Sequence, residues 1–173
     1  MKGLVRSLGR GAPQSQPIVK QTISVRSLAL EVDGATGVGW GTAVAGDFPE
    51  GNIVLLGVVS YLQFTGPTDA ALVDTWEGDY GVGSTPASDA TITAGDVDLI
   101  PSTALAAATA EVSPKTRGVQ ADGAFAGVVL DNTDNSLEIN VNLLVDDADI
   151  SADDLAFTVD GEIYLSYVVL GDD

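Results

Sequence analysis

The sequence predicts an all-β protein: an antiparallel β-sandwich or jelly-roll-like body with an extended N-terminal arm. Three observations predict it. The 173 residues are 45% hydrophobic and only 18% charged, a folding composition in which Val, Ile, Leu and Ala dominate the apolar set. Lys, Arg, Gln and Met are too scarce to clothe the polar faces of amphipathic helices. Short apolar stretches alternate with clusters of Gly, Asp, Asn and Pro, which is the punctuation of strands and turns. The chain divides into an arm over residues 1–17 and a single acidic β-domain over 18–173.

The arm is defined by charge. Lys2, Arg6, Arg10, Lys20 and Arg26 are five of the seven bases, and no acid precedes Glu31. Everything after residue 26 holds Lys115 and Arg117 against all 25 acids. Such asymmetry marks a tail that engages a partner. Residues 1–17, rich in Gly, Pro, Ser and Gln, show no sustained period and span roughly 55 Å if extended at about 3.3 Å per residue. Leu4, Val5 and Leu8 sit between the bases as apolar anchors, which a nucleic-acid arm does not need, and the acidic body repels a phosphate backbone. The expected contact is therefore protein docking, with Lys2, Leu4, Val5, Arg6, Leu8, Arg10, Lys20 and Arg26 as partner-binding residues and the acidic bodies of sister subunits as one target.

The elements follow in order. Ile18 to Asp33 is β-rich and ends at Asp33-Gly34. The glycines around Trp40 fit neither a phosphate loop nor a dinucleotide fingerprint and predict close packing. Asp47 to Asn52 is a turn, and Ile53 to Val59 is apolar throughout, predicting a strand buried on both faces. A short helix is expected over Asp69–Asp74, capped by Asp69. Trp76 and Tyr80 then share a face, and 81–89 is loop. Short strands are expected over 90–94 and 97–100, and the alanine-rich 103–110 predicts a helix. Residues 111–123 read as a polar loop whose Lys115 and Arg117 meet carboxylates. Strands are expected over 125–130 and, half-buried, over 137–145, with a turn at 131–136 between them. Leu155–Val159 and Ile163–Leu170 form a hairpin about Asp160-Gly161.

Several function classes lose their chemistry. Without cysteine there is neither a disulfide nor a thiolate metal site. Without histidine the commonest general base, the usual zinc ligand and every Ser-His or Cys-His nucleophile are gone. The chain is thus expected not to be an enzyme and to need no cofactor. The longest apolar run is far below the roughly 20 residues of a membrane-spanning helix, and the basic start lacks the apolar stretch of a signal peptide. It reads as made in the cytoplasm, without membrane or nucleic-acid partners. Asp147, Asp149, Ser151 and Asp153 have the opening spacing of a calcium loop, but Ala152 and Thr158 replace its Gly and Glu, so no metal site is assigned and the segment reads as a solvated loop. A sugar-stacking face built on Trp40, Trp76 or Tyr80 would make the chain a carbohydrate-binding module, although core packing is the expected fate of both tryptophans.

The segments GDFPEGNIVLLGVVSYLQF (46–64), DNTDNSLEINVNLLVDDADIS (131–151) and YVVLGDD (167–173), together with the opening MKGLVRSLGRG (1–11), resemble small structural proteins of marine tailed bacteriophages. The resemblance spans most of the chain. It implies a virion component on the capsid surface: a decoration or cement protein that sits as a homotrimer on the major capsid protein and bridges capsomers. It carries over no catalytic residue. A tail-tube or other tail protein is the alternative within the same class.

Overall fold

The computed structural model describes residues 18–33, 38–120, 129–146, 149–151 and 154–171. The expected arm and the start of the strand expected over 125–130 lie outside them. Among the described residues nine strands form: β1 (Val19–Asp33), β2 (Gly39–Asp47), β3 (Gly51–Thr65), β4 (Gly78–Gly83), β5 (Ile100–Leu105), β6 (Thr116–Val119), β7 (Val129–Asn132), β8 (Glu138–Val145) and β9 (Leu155–Gly171). The body is all-β as predicted; a single 3₁₀ turn at Ala94–Asp96 is the one helical element described. Every pairing is antiparallel, in the order β5-β4-β8-β2-β1-β9-β3-β6, with β7 also against β3.

The path folds over where β1 meets β2, because their pairing is limited to Glu31–Asp33 against Trp40–Thr42. Beyond that corner β1 continues along β9 and β2 along β8, giving two layers. Their far edges approach again. Tyr80 on β4 and Ser60 on β3 share a buried hydrogen bond of 3.0 Å. Gly118 on β6 sits so close to both that a methyl group there would lie 2.5 Å from the Tyr80 hydroxyl and 2.8 Å from that of Ser60. The result is a sandwich curled nearly into a barrel.

β9 runs through Asp160-Gly161 without interruption, and over Leu155–Tyr167 its neighbours adjust to it. Leu155, Phe157, Val159, Ile163, Leu165 and Tyr167 all point into the core with a strict period of two. The expected hairpin at Asp160-Gly161 is therefore incorrect. Pairing with β1 on one side and β3 on the other carries the chain straight through. Instead, β1 bulges opposite Gly161, between Val25 and Leu28. The bulge switches its inward set from Ile23 and Val25 to Leu28, Leu30 and Val32. Ser27, at φ 45°, donates its amide to the Asp160 carboxylate at 2.9 Å. β3 bulges at Leu56, switching its inward set from Ile53 and Leu55 to Val58, Leu62 and Phe64. The apolar run predicted to be buried on both faces is thus buried on one, and Leu56 is half exposed.

The core is centred on Trp76, whose ring meets Phe157 edge-on at 5.2 Å while its indole N–H donates to the Glu111 carbonyl at 2.9 Å. Tyr80 is buried as well, packed on Phe64 at 5.4 Å, and Trp76 fulfils the expectation of core packing. Trp40 does not: it is half-buried on the outer face, while its neighbours Gly39 and Gly41 point inward against Val32, Ile150 and Leu30.

Tertiary pairing overrules local propensity elsewhere. The alanine-rich segment is strand through Leu105, because Ala104 pairs with Asp79 and Ala108 bonds the Trp76 carbonyl. Residues 69–74 are turns rather than a helix, with Asp69 accepting the Ala71 amide at 2.9 Å and Leu72 bridged to Ile150. The two short strands expected over 90–100 are an irregular excursion lying over β8. Residues 116–119 are strand rather than loop, Gly81–Gly83 belong to β4, and Asp131–Asn132 belong to β7.

β8 is buried on both faces at Asn140 and Asn142, not half-buried. Asn142 accepts the Ala87 amide and donates to the Thr85 and Asp96 carbonyls, holding the 84–99 excursion over its strand. Asn140 and the Thr42 hydroxyl make no hydrogen bond there. Asn132 similarly ties two turns, donating to the Phe48 and Pro49 carbonyls and accepting the Leu137 amide.

Gly161 adopts φ +147°, and a Cβ there would lie 2.0 Å from the Tyr61 carbonyl oxygen. Gly161→Ala is expected to cost about 3 kcal/mol or more in urea-unfolding stability, combining a strained φ with a backbone clash. Asp160→Ala, which removes only the Ser27 bond, is expected to cost about 1 kcal/mol.

Burial holds the Tyr80 phenol above its ordinary value, against the opposing effect of the Ser60 hydrogen bond. The unfolded chain therefore releases this proton first as pH rises. Titration of Tyr80 leaves stability unchanged below about pH 10 and lowers it above that. Tyr80→Phe is expected to lose about 1–3 kcal/mol at pH 7, by leaving Ser60 unpaired, and to show a shallower decline in Tm above pH 10 than the unsubstituted chain.

Candidate interaction surface

The layer β1-β9-β3-β6 turns one face to the core and the other outward. The registers fix what that outer face carries. Tyr61 on β3 lies between Glu162 on β9 and Arg117 on β6; in the next row Val59 lies between Tyr164 and Val119. On the far side of β9, Thr22 faces Tyr164 and Lys20 faces Ser166. Tyr61 and Tyr164 meet edge-on at 6.3 Å, 37% and 39% exposed, and Val119 is 41% exposed. Tyr164 donates to the Glu162 carboxylate at 2.6 Å, and that bond chiefly holds its phenol above the ordinary value. Two ordered aromatic rings with apolar neighbours and flanking cations have the composition of a protein-binding patch, where Tyr and Arg anchor contacts at low entropic cost.

Of the eight residues expected to bind a partner, Lys20 and Arg26 are described: Lys20 flanks this face and Arg26 is exposed in the β1 bulge. Lys2, Leu4, Val5, Arg6, Leu8 and Arg10 lie outside the described residues. The expectation that Lys115 and Arg117 meet carboxylates is not met among the described residues. β6 places Arg117 beside Tyr61, and Glu162, the acid in its row, already accepts from Tyr164. Sequence reasoning passed over Tyr61 and Tyr164 themselves. Tyr164 sits at an outward position of β9's alternation, but Tyr61 turns outward only because of the bulge at Leu56.

A second feature lies at the end of the body reached by β3. The turn after Thr65 forms an open groove of about 440 Å³ with Ala70, Leu72 and Val73 on its apolar side and Asp69, Asp74 and Glu111 around it. Its frame is set by backbone hydrogen bonds, Leu72 to the Asp69 carbonyl, Glu111 to the Asp74 carbonyl and Val73 to the Asp149 carbonyl, at 2.9–3.0 Å. Leu72 is buried and Val73 is 43% exposed.

In the acidic segment that resembles the start of a calcium loop, Asp147 and Asp153 lie outside the described residues. Asp149 accepts the Glu77 amide at 2.7 Å, a structural use of its carboxylate. Among the described residues no cluster of three carboxylates is close enough to hold a metal ion. Trp76 and Tyr80 are fully buried and offer no sugar-stacking surface; Trp40 alone of that set reaches the outside. No described helix is long and apolar enough to cross a membrane.

No family model matches this chain, and none of the curated proteins matches it. Among solved structures it is similar to a chain in the cryo-electron microscopy structure of Mud crab tombus-like virus, with 12% identity and a TM-score of 0.36 over 99% of both chains. That virus is not a tailed bacteriophage, and a likeness this faint carries no functional argument.

The two tryptophans give a check on this arrangement. Trp76→Ala is expected to cost about 3–5 kcal/mol of stability, as a large aromatic removed from a packed core. Trp40→Ala is expected to cost about 1 kcal/mol or less; near-equal losses in denaturant titration would contradict the assignment of one ring to the core and one to the surface.

Proposed function

We propose that this chain is a virion structural protein, a decoration protein that lies on the outer capsid shell, contacts the major capsid protein and bridges capsomers as a homotrimer. The observation that carries the reading is the division of charge. The chain ahead of Glu31 carries five bases and no acid, three of the bases before β1 and two (Lys20 and Arg26) within it, and the chain from Glu31 onward holds all 25 acids. A basic arm interleaved with Leu4, Val5 and Leu8 suits docking on protein, and an acidic exterior keeps a particle of many copies soluble. The resemblance of segments 1–11, 46–64, 131–151 and 167–173 to structural proteins of marine tailed bacteriophages supports the same role. The Tyr61–Tyr164 face supplies a second contact, so that arm and body together can span a subunit boundary. Such a role needs no catalytic group and no cofactor, and we propose that the chain has neither.

In purified particles, mass spectrometry and cryo-electron microscopy are expected to find this chain in symmetric copy number on the outer shell. Its absence from particles would sink the proposal, and location along a tail would replace it with the tail reading. Deleting residues 1–17 is expected to leave the body's melting unchanged and weaken particle binding. The pair Tyr61→Ala and Tyr164→Ala is expected to cost about 2 kcal/mol of particle affinity if the outer face is a central contact.

A further inference from the structure

We infer that the groove beside Leu72 and Val73 receives residues 1–11 of a neighbouring copy of this chain. The inference rests on the assembly reading and names the surface that the arm uses. The groove pairs an apolar wall, with Val73 43% exposed, with the carboxylates of Asp69, Asp74 and Glu111 on its rim. The arm presents the complementary pattern: Leu4, Val5 and Leu8 interleaved with Lys2, Arg6 and Arg10. Apolar side chains seated on the wall with guanidinium groups reaching the rim satisfy both features at once, and Arg is suited to carboxylate recognition through its rigid fork of donors.

Direction favours a neighbour over the arm's own body, whose groove Leu8 reaches only by doubling back with the chain up to β1 almost fully extended. Val19 pairs with Tyr167, whereas Thr65, which leads into the groove, pairs with Thr158. The two points are nine residues apart along β9, roughly 30 Å at about 3.3 Å per residue. β1 advances toward the groove end, so the chain preceding it enters from the opposite end of the body. Copies set head to tail bring each entry point to the next copy's groove. Such a heterologous contact closes into a ring when the rotation permits.

The chain has no cysteine, so introduced thiols report without background. Chains carrying Leu8→Cys are mixed with chains carrying Val73→Cys under mild oxidation, with Val44→Cys, on an exposed site of β2, as the control partner. Circular dichroism verifies that each variant is folded. The expected result is a mixed disulfide with Val73→Cys at about tenfold or greater yield than with Val44→Cys. Asp74→Lys with Glu111→Lys is expected to lower that yield by about tenfold, and Arg6→Glu with Arg10→Glu is expected to restore it, since like charges brought together oppose docking strongly. Equal yields with Val73→Cys and Val44→Cys would overturn the inference. So would a doubly substituted chain that closes on itself as a monomer, because the arm would then occupy its own groove. Virion incorporation is scored separately on particles, so cross-linking without incorporation refutes the virion reading alone, and incorporation without cross-linking refutes the groove alone.

Discussion

The architecture depends on the register of one strand. β9 keeps an unbroken period of two from Leu155 to Tyr167, and the strands on either side of it are longer than their pairing allows without correction. β1 absorbs its mismatch at Arg26-Ser27 and β3 at Leu56. Each bulge flips the parity of the residues beyond it, so each fixes which side chains form the core and which face outward. The outward position of Tyr61 follows from this, as does the inward position of Leu30 and Val32. Asp160 and Gly161 mark the point of adjustment, where a carboxylate holds the bulged amide of Ser27 and the absence of a side chain lets β3 pass close by.

The second layer is secured differently. β8 pairs with β4 in regular register, while β2–β8 shifts between Val44 and Gly46 and β4–β5 between Tyr80 and Val82, and their outer face is overlaid by the irregular segment 84–99, which supplies few ladder bonds of its own. Side-chain hydrogen bonds hold it there. Asn142 makes three hydrogen bonds to that segment, and Asp98 accepts both the amide and the hydroxyl of Ser84. Burial raises the Asp98 carboxyl above its ordinary range despite those bonds. Asn140, one step along β8, has no such partners. An amide buried without partners costs on the order of 1–3 kcal/mol, which sets the polar lining of this layer apart from the apolar core beneath it.

Much of this was legible in the sequence. The class of fold, the extent of β1, the presence of β3, and the alternation of Leu137 to Val145 followed from composition and periodicity. What was not legible had a common cause: local signals outvoted by long-range pairing. Asp160-Gly161 is a strong hairpin signal, yet two partner strands hold the chain extended through it. The alanines of 103–110 favour a helix, yet the free edge of β4 claims Ala104. Asn140 and Asn142 look solvent-facing, because nothing in β8 announces the segment that covers them. The interaction face shows the same limit. Lys20 and Arg26 stand out by charge alone, whereas the outward position of Tyr61 required a bulge that only the register of β9 reveals.

The placement of β1 has a mechanical consequence. Its first half is bonded to β9 from Val19 to Val25, and the arm continues directly from that end. Tension applied through the arm along the strand loads those bonds side by side, in shear, rather than peeling them one at a time. Yielding requires many bonds to break together, and beyond the bulge at Ser27 the pairing with β9 resumes from Leu28 to Val32. A tether anchored in this way resists a steady pull far better than a strand end lifted away from its sheet.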